Sequence, residues 1–299
     1  MAPGNGGFLY AREGHMESIA YYDGNIGSPD ELTVPFNDRS HFFGDGIYEA
    51  SIGANGKVFA IEDHLDRFFT SAALFDIHIP LSKDDLNKLL HELLAKVDNQ
   101  SSFVYWQVTR GVAPREHTYD DKAPGKLWVM IRPESLRDPK VPMKLITLED
   151  RRFGYGNVKT LNLMPAVKYS QEARHAGVDE AVLHRNGVVT ECAHSNVHIL
   201  KDGILYTHPN DEYILRGIAK TRLIQICYHE SVPVIERAFT VDELMAADEV
   251  IVTSSGDLLI FADEVDGVPV GGKDPDTLGR LRRAVYRDFI DYTGATQLF

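Results

Sequence analysis

The stretch Glu180-Ala-Val-Leu-His-Arg-Asn-Gly-Val-Val-Thr-Glu-Cys-Ala-His-Ser-Asn-Val-His-Ile-Leu-Lys-Asp-Gly-Ile-Leu-Tyr-Thr207 alternates short apolar runs with two Asx-glycine pairs, Asn186-Gly187 and Asp202-Gly203. Such pairs tolerate two successive residues at positive φ, which a two-residue hairpin requires. The pattern predicts antiparallel strands at 180–184, 188–191, 196–200 and 204–207. Between the hairpins lies a polar segment, Glu191-Cys-Ala-His-Ser-Asn196, whose Glu191 needs a cationic partner if it is buried.

Working outward, Ala166 to Ala176 reads as a helix stopped by Gly177, preceded by a strand near Met143–Thr147 and the stretch Gly156-Asn-Val-Lys-Thr-Leu-Asn-Leu163. Downstream, Leu215-Arg-Gly-Ile218 opens a helix of about three turns, followed by a strand at Val232–Ile235, a capped helix from Thr240, a strand at Val250–Thr253 and a terminal helix from Asp276 to Tyr292. Upstream, strands are expected at Ile19–Tyr22, Ile47–Ser51 and Val58–Ala60, with Asn55-Gly56 as a turn. One helix follows Glu62, and a second is capped by Ser82 and Asp85 and striped with Leu86, Leu89, Leu90, Leu93 and Leu94. Strands at Phe103–Thr109 and Leu127–Ile131 flank a polar loop from Arg110 to Pro124. The order predicts an α+β, or mixed α/β, protein. Its expected parts are a small N-terminal domain over 1–133, with 1–16 as a flexible extension, a linker over 134–142 and a larger domain over 143–299.

A chain of 299 residues, 43% hydrophobic, buries a large core. With 31 basic and 44 acidic side chains its net charge is −13, which disfavours nucleic acid and anionic membranes and favours a small-molecule partner. Cys192 and Cys227 are too few for a disulfide framework or a paired zinc site, and no metal site is expected. There is no signal-peptide pattern and no run near the roughly 20 apolar residues of a membrane helix, so a cytoplasmic location is expected.

Lys159 is the candidate amine for covalent chemistry. The glycine in Leu215-Arg-Gly-Ile-Ala219 lets backbone amides converge on an anion at a helix N-terminus, and Thr253-Ser254-Ser255-Gly256 offers hydroxyls and amides for the same purpose. Arg67 supplies a cation for such an anion, and Arg115 with His117 forms a candidate carboxylate clamp.

Together these pieces resemble the class IV, D-alanine-type fold of pyridoxal-phosphate aminotransferases, most closely the bacterial D-amino-acid aminotransferases. The resemblance runs from about Tyr21 to Gly267. It is carried by Phe43-Gly-Asp-Gly-Ile-Tyr-Glu49, His64-Leu-Asp-Arg67, Tyr105-Trp-Gln-Val-Thr-Arg-Gly-Val-Ala-Pro-Arg-Glu-His117, Val158-Lys-Thr-Leu-Asn-Leu163, Glu180-Ala-Val-Leu-His-Arg-Asn-Gly187, Asp202-Gly-Ile-Leu-Tyr-Thr-His-Pro209, Leu215-Arg-Gly-Ile218 and Val252-Thr-Ser254.

The resemblance implies fold type IV, with a mixed, partly antiparallel, barrel-like sheet in the larger domain. It implies that Lys159 holds pyridoxal 5′-phosphate as a Schiff base and then shuttles the proton, and that Glu191 pairs with the pyridine nitrogen. Arg67, Ile218, Ala219, Ser254, Ser255 and Gly256 match the phosphate anchors, Leu215 packs on the ring, and Ser195, Asn196 and Gly217 belong to the cofactor site. Tyr48, Arg115 and His117 match the trap for a D-substrate's α-carboxylate, the last two from the other subunit of a homodimer. The implied reaction is ping-pong transfer between a D-amino acid such as D-alanine and a 2-oxo acid such as 2-oxoglutarate.

The alternatives are a branched-chain L-amino acid or (R)-amine transaminase, or an aminodeoxychorismate-lyase-like enzyme. Met164, where branched-chain members typically carry tyrosine, favours the D-specific reading. The sequence departs from the family at Ala219, where threonine is usual, and at Cys192-Ala193-His194, in place of glycine-serine-serine. The missing threonine hydroxyl, worth roughly 1.5–3 kcal/mol toward a charged acceptor, predicts looser cofactor retention. The loop after His117 also differs.

Overall fold

Both sheets turn on the same chemical device. In the computed structural model, which describes residues 17–296, Asp23-Gly24, Asn55-Gly56, Asn186-Gly187, Asp202-Gly203 and Asp266-Gly267 all place both residues at positive φ. Each pair joins two antiparallel strands. The twist of such turns matches that of the strands they connect. The expected extension at residues 1–16 lies outside the described residues.

The first half runs β1 (Ile19–Tyr22), β2 (Asn25–Gly27), α1 (Arg39–Phe43), β3 (Gly46–Ala54), β4 (Lys57–Val58), α2 (Ile61–Leu74), α3 (Lys83–Leu94), β5 (Ser101–Thr109) and β6 (Lys126–Pro133). Its strands form an antiparallel sheet in the order β2-β1-β6-β5-β3-β4. Leu65, Phe68 and Ala72 of α2 and Leu86, Leu90 and Leu93 of α3 bury against Val104, Trp106, Val108, Leu127, Val129 and Ile131. Ser82 accepts the Asp85 amide at 3.1 Å and starts α3, as its sequence predicts. The strand expected through Ala60 stops at Val58, because Ala60 takes φ 50° and turns the chain into α2. Helix α1 has no counterpart in the sequence reading: it is five residues long, too short for periodicity, and is set by Asp38 at one end and Gly44 at the other.

The second half runs β7 (Met143–Glu149), α4 (Met164–Ala176), β8 (Glu180–Arg185), β9 (Val188–Cys192), β10 (Asn196–Lys201), β11 (Ile204–Thr207), α5 (Ile218–His229), β12 (Val234–Glu236), α6 (Val241–Ala246), β13 (Glu249–Ser254), β14 (Leu258–Val265), β15 (Val268–Pro269) and α7 (Pro275–Thr293). The strand order is β12-β11-β10-β13-β14-β7-β8-β9, with β15 beside β14. Strand β7 is parallel to both neighbours and β12 is parallel to β11, while the remaining pairs are antiparallel. The sheet is therefore mixed, and it curls until β9 comes back alongside β10. Strand β14 is the largest element absent from the sequence reading. Leu258-Leu-Ile-Phe-Ala262 is an apolar run without alternation, because the strand is buried between β13 and β7.

Between β6 and β7, residues 134–142 form no helix or strand. The two halves nevertheless share apolar contacts, since Phe59 lies 4.9 Å from Phe289 and 5.4 Å from Tyr292 of α7, measured between ring centroids.

Candidate active site

The segment between β7 and α4 crosses to the small sheet. Its backbone pairs with β3 through Tyr48 N to Lys159 O at 2.9 Å and Leu161 N to Gly46 O at 3.0 Å. This pairing fixes Lys159 opposite Tyr48, whose hydroxyl lies 3.2 Å from Nζ. The Tyr48 ring stacks on Tyr105, so the phenol is held in place by its own strand neighbours. Around Lys159 opens a cleft of about 880 Å³, its mouth included. Tyr48, Arg67, Glu191, Ser195, Asn196, Leu215, Gly217, Ile218, Ala219, Ser254 and Ser255 all line it.

One end of the cleft is built for an anion. Gly217 caps α5 in an extended conformation without a side-chain cap, leaving first-turn amides at Ile218 and Ala219, where both residues line the wall. Arg67 stands beside them, its Nη1 donating to Arg216 O at 2.8 Å. Behind it, Glu49 accepts from Arg67 Nε and Nη2 at 2.6 and 2.8 Å and meets His64 Nδ1 at 2.7 Å. Burial alone would raise the Glu49 carboxyl, but the charges and hydrogen bonds of Arg67 and His64 outweigh it and bring it down to about 2. Burial, with Arg67 and Lys159 adding to it, lowers His64 and keeps the ring neutral.

The other end holds Glu191, 5% exposed. Its Oε2 accepts Asn196 Nδ2 at 2.9 Å and the Leu215 amide at 3.0 Å, and its Oε1 accepts Arg152 Nη1 at 2.6 Å. Arg152 is the cation that the sequence required of an unnamed partner. It gives Nε and Nη2 to Asp150, whose side chain is inaccessible. Glu191 thus receives only part of one guanidinium, and burial holds its carboxyl above the usual range.

Three residues expected at the site do not line the cleft: Gly256, Arg115 and His117. The last two are exposed and pack around Phe43, with the Arg115 guanidinium 5.4 Å and the His117 ring 5.2 Å from its centroid. Met164 is 84% exposed, while its neighbours Leu163, Pro165 and Ala166 form the wall. In the segment that departs from the family, Cys192 is inaccessible and burial pushes its thiol well up, so it is inert. His194 projects into the cleft.

An amine, a buried acid and a set of amides, hydroxyls and a guanidinium suited to an anion, all lining one cleft, fit a phosphorylated pyridine aldehyde such as pyridoxal phosphate. The comparisons agree with that fit. The model of the family described as Amino-transferase class IV matches residues 46–265. The chain is 40% identical over 246 residues to a D-alanine aminotransferase of Listeria monocytogenes, covering 81% of this chain and 85% of that protein. Its fold matches a branched-chain aminotransferase of Thermoproteus uzoniensis with norvaline at TM-score 0.82 and 22% identity, over 93% of this chain and 97% of that one. It also matches a branched-chain amino acid aminotransferase from Escherichia coli at TM-score 0.83 and 20% identity, over 94% and 96%. The chain belongs to the class IV aminotransferases, which depend on pyridoxal 5′-phosphate.

Proposed function

We propose that this protein transfers the amino group between a D-amino acid and a 2-oxo acid in a ping-pong cycle, with the cofactor carried on Lys159. The observation that carries this reading is the shared cleft: Lys159 Nζ is 3.2 Å from the Tyr48 hydroxyl, and the buried Glu191 lines the same wall. The 40% identical relative named D-alanine aminotransferase supports the substrate class. When bound, pyridoxal phosphate supplies an electron-accepting ring that takes up charge as the substrate Cα–H bond breaks.

Each side chain has a task set by its position. Arg67 and the amides of Ile218 and Ala219 hold the phosphate, helped by Ser254 and Ser255. Glu191, short of positive charge, accepts the hydrogen bond of a protonated ring nitrogen. Leu215 packs on the ring face. The Lys159 amine moves the proton to and from the substrate carbon, with Tyr48 orienting Nζ.

The protein acts as a homodimer, in which Arg115 and His117 of the partner subunit complete the α-carboxylate trap with Tyr48. Their exposure outside their own chain's cleft, and the apolar surface beside them with Phe36 83% exposed, support that arrangement. Gly256 closes the phosphate turn after Ser255, and 134–142 links the two domains.

Half-reaction spectra with D-alanine, L-leucine and (R)-1-phenylethylamine test the reading. Conversion of the cofactor to its amine form is expected with D-alanine foremost, and faster conversion by L-leucine would replace it with the branched-chain alternative. Product analysis without an added 2-oxo acid separates a lyase.

A further inference from the structure

The turn from Cys192 to Asn196 is buried except at one residue. Cys192, Ala193, Ser195 and Asn196 are 0–8% exposed, whereas the His194 side chain is 58% exposed and lines the cleft. Its Nδ1 lies 3.0 Å from Oε2 of Glu180, a carboxylate with 1% side-chain exposure. That carboxylate is fixed in turn, with Oε2 accepting the Ser195 hydroxyl at 3.0 Å and Oε1 the Ala181 amide at 2.9 Å. A carboxylate only accepts, so the ring keeps its hydrogen on Nδ1 and Nε2 is the atom left for a ligand.

The other basic groups of the cleft are committed. Arg67 is bound by Glu49, Arg152 by Asp150 and Glu191, and Lys159 carries the cofactor. Among the described residues lining the cleft, His194 is therefore the basic side chain with a nitrogen to spare. It stands on the turn between β9 and β10, whereas Tyr48 lies on strand β3, so the two enter the cleft from different elements.

Building on the transaminase reading, we propose that His194, oriented by Glu180, recognises the distal carboxylate of dicarboxylic substrates, a D-amino acid or 2-oxo acid bearing a second carboxylate. The approaching carboxylate is met by protonation of Nε2 from solvent, and the imidazolium sits between two carboxylates, its charge balanced from behind by Glu180. Asp257, whose carboxyl burial raises while His194 draws it down, is the other acid that senses this ring. An amide of the same shape cannot reward that proton, so the selectivity is for charge and not for length.

The test compares kcat/KM for D-glutamate and D-glutamine in the wild-type holoenzyme and in His194→Asn, which keeps a donor toward Glu180 and loses the charge. The glutamate-to-glutamine ratio is expected to exceed about ten and to fall by about tenfold in the variant. An unchanged ratio, or a parallel loss on both substrates, overturns the proposal. Competition by glutarate against butyrate, read from the cofactor absorbance, gives a second measure that needs no turnover. Should the wild type convert no D-amino acid, the transaminase reading fails. The role of His194 is then decided by whether a tenfold preference for glutarate exists and disappears in His194→Asn.

Discussion

The two ends of the cleft use the same pair of groups, a buried glutamate and an arginine, to opposite effect. Glu49 takes two nitrogens of Arg67 and the ring of His64, and its carboxyl falls to about 2. Glu191 takes one nitrogen of Arg152, whose remaining donors go mainly to Asp150, and its carboxyl rises. The first carboxylate is saturated and serves to hold a cation still. The second is under-compensated, which is the condition for sharing a proton with a bound base. Each carboxylate accepts three hydrogen bonds, so the share of a guanidinium it receives, more than residue type or partner count, sets the two apart.

The sharpest way to break this comparison is to remove what lies between the two ends. Lys159→Ala should lose the yellow, borohydride-reducible absorbance and more than ~10³-fold of activity, while Lys168→Ala, an exposed pair with Glu172, keeps both. Next, Glu49→Gln leaves Arg67 half-matched and should cost ~3–5 kcal/mol in denaturant unfolding. Because the folded carboxyl lies at about 2, below its ordinary 4.5, the stability it supplies is complete above 4.5 and is lost as pH falls toward 2. The variant should lack that acid slope, and an unchanged slope would show that Glu49 is not the saturated group.

Arg152→Gln strips Glu191 of its cation, so the carboxyl should rise further and bind its own proton. The expected result is a roughly tenfold to hundredfold loss in the half-reaction, with the pH-dependent change in cofactor absorbance moved upward by about one unit. The smallest effect concerns the phosphate end. Ala219→Thr adds a hydroxyl at α5 and should slow cofactor loss on dialysis by about tenfold; equal retention would show that amides and Arg67 suffice.

Much of the architecture was legible because its turns are chemically explicit. Asn186-Gly187 and Asp202-Gly203 can hardly be anything but hairpins, and Ser82 and Thr240 cap helices where their spacing says. Helix α1 and strand β14 were not legible, the one too short for a period and the other too uniformly buried for an alternation. Among the residues lining the cleft, Lys159, Glu191 and Arg67 stood out through the family resemblance and not through their local spacing. Arg152 did not. Its partner is 39 residues away, and only the parallel pairing of β7 with β8 and the hairpin to β9 bring them together. Glu49 left a fainter trace, an acid within an apolar strand matched by a histidine and an arginine three residues apart on one helix face.

Gly217 shows how the ends of the cleft are kept in step. A Cβ there would fall 2.0 Å from Asn196 Oδ1, and Asn196 holds both Glu191 and the Leu215 carbonyl through its Nδ2. The start of α5 and the acid at the far wall are thus gauged against one amide group. Any side chain larger than hydrogen at this position would push Asn196 aside and disturb its hold on Glu191 and on the start of α5 at the same time.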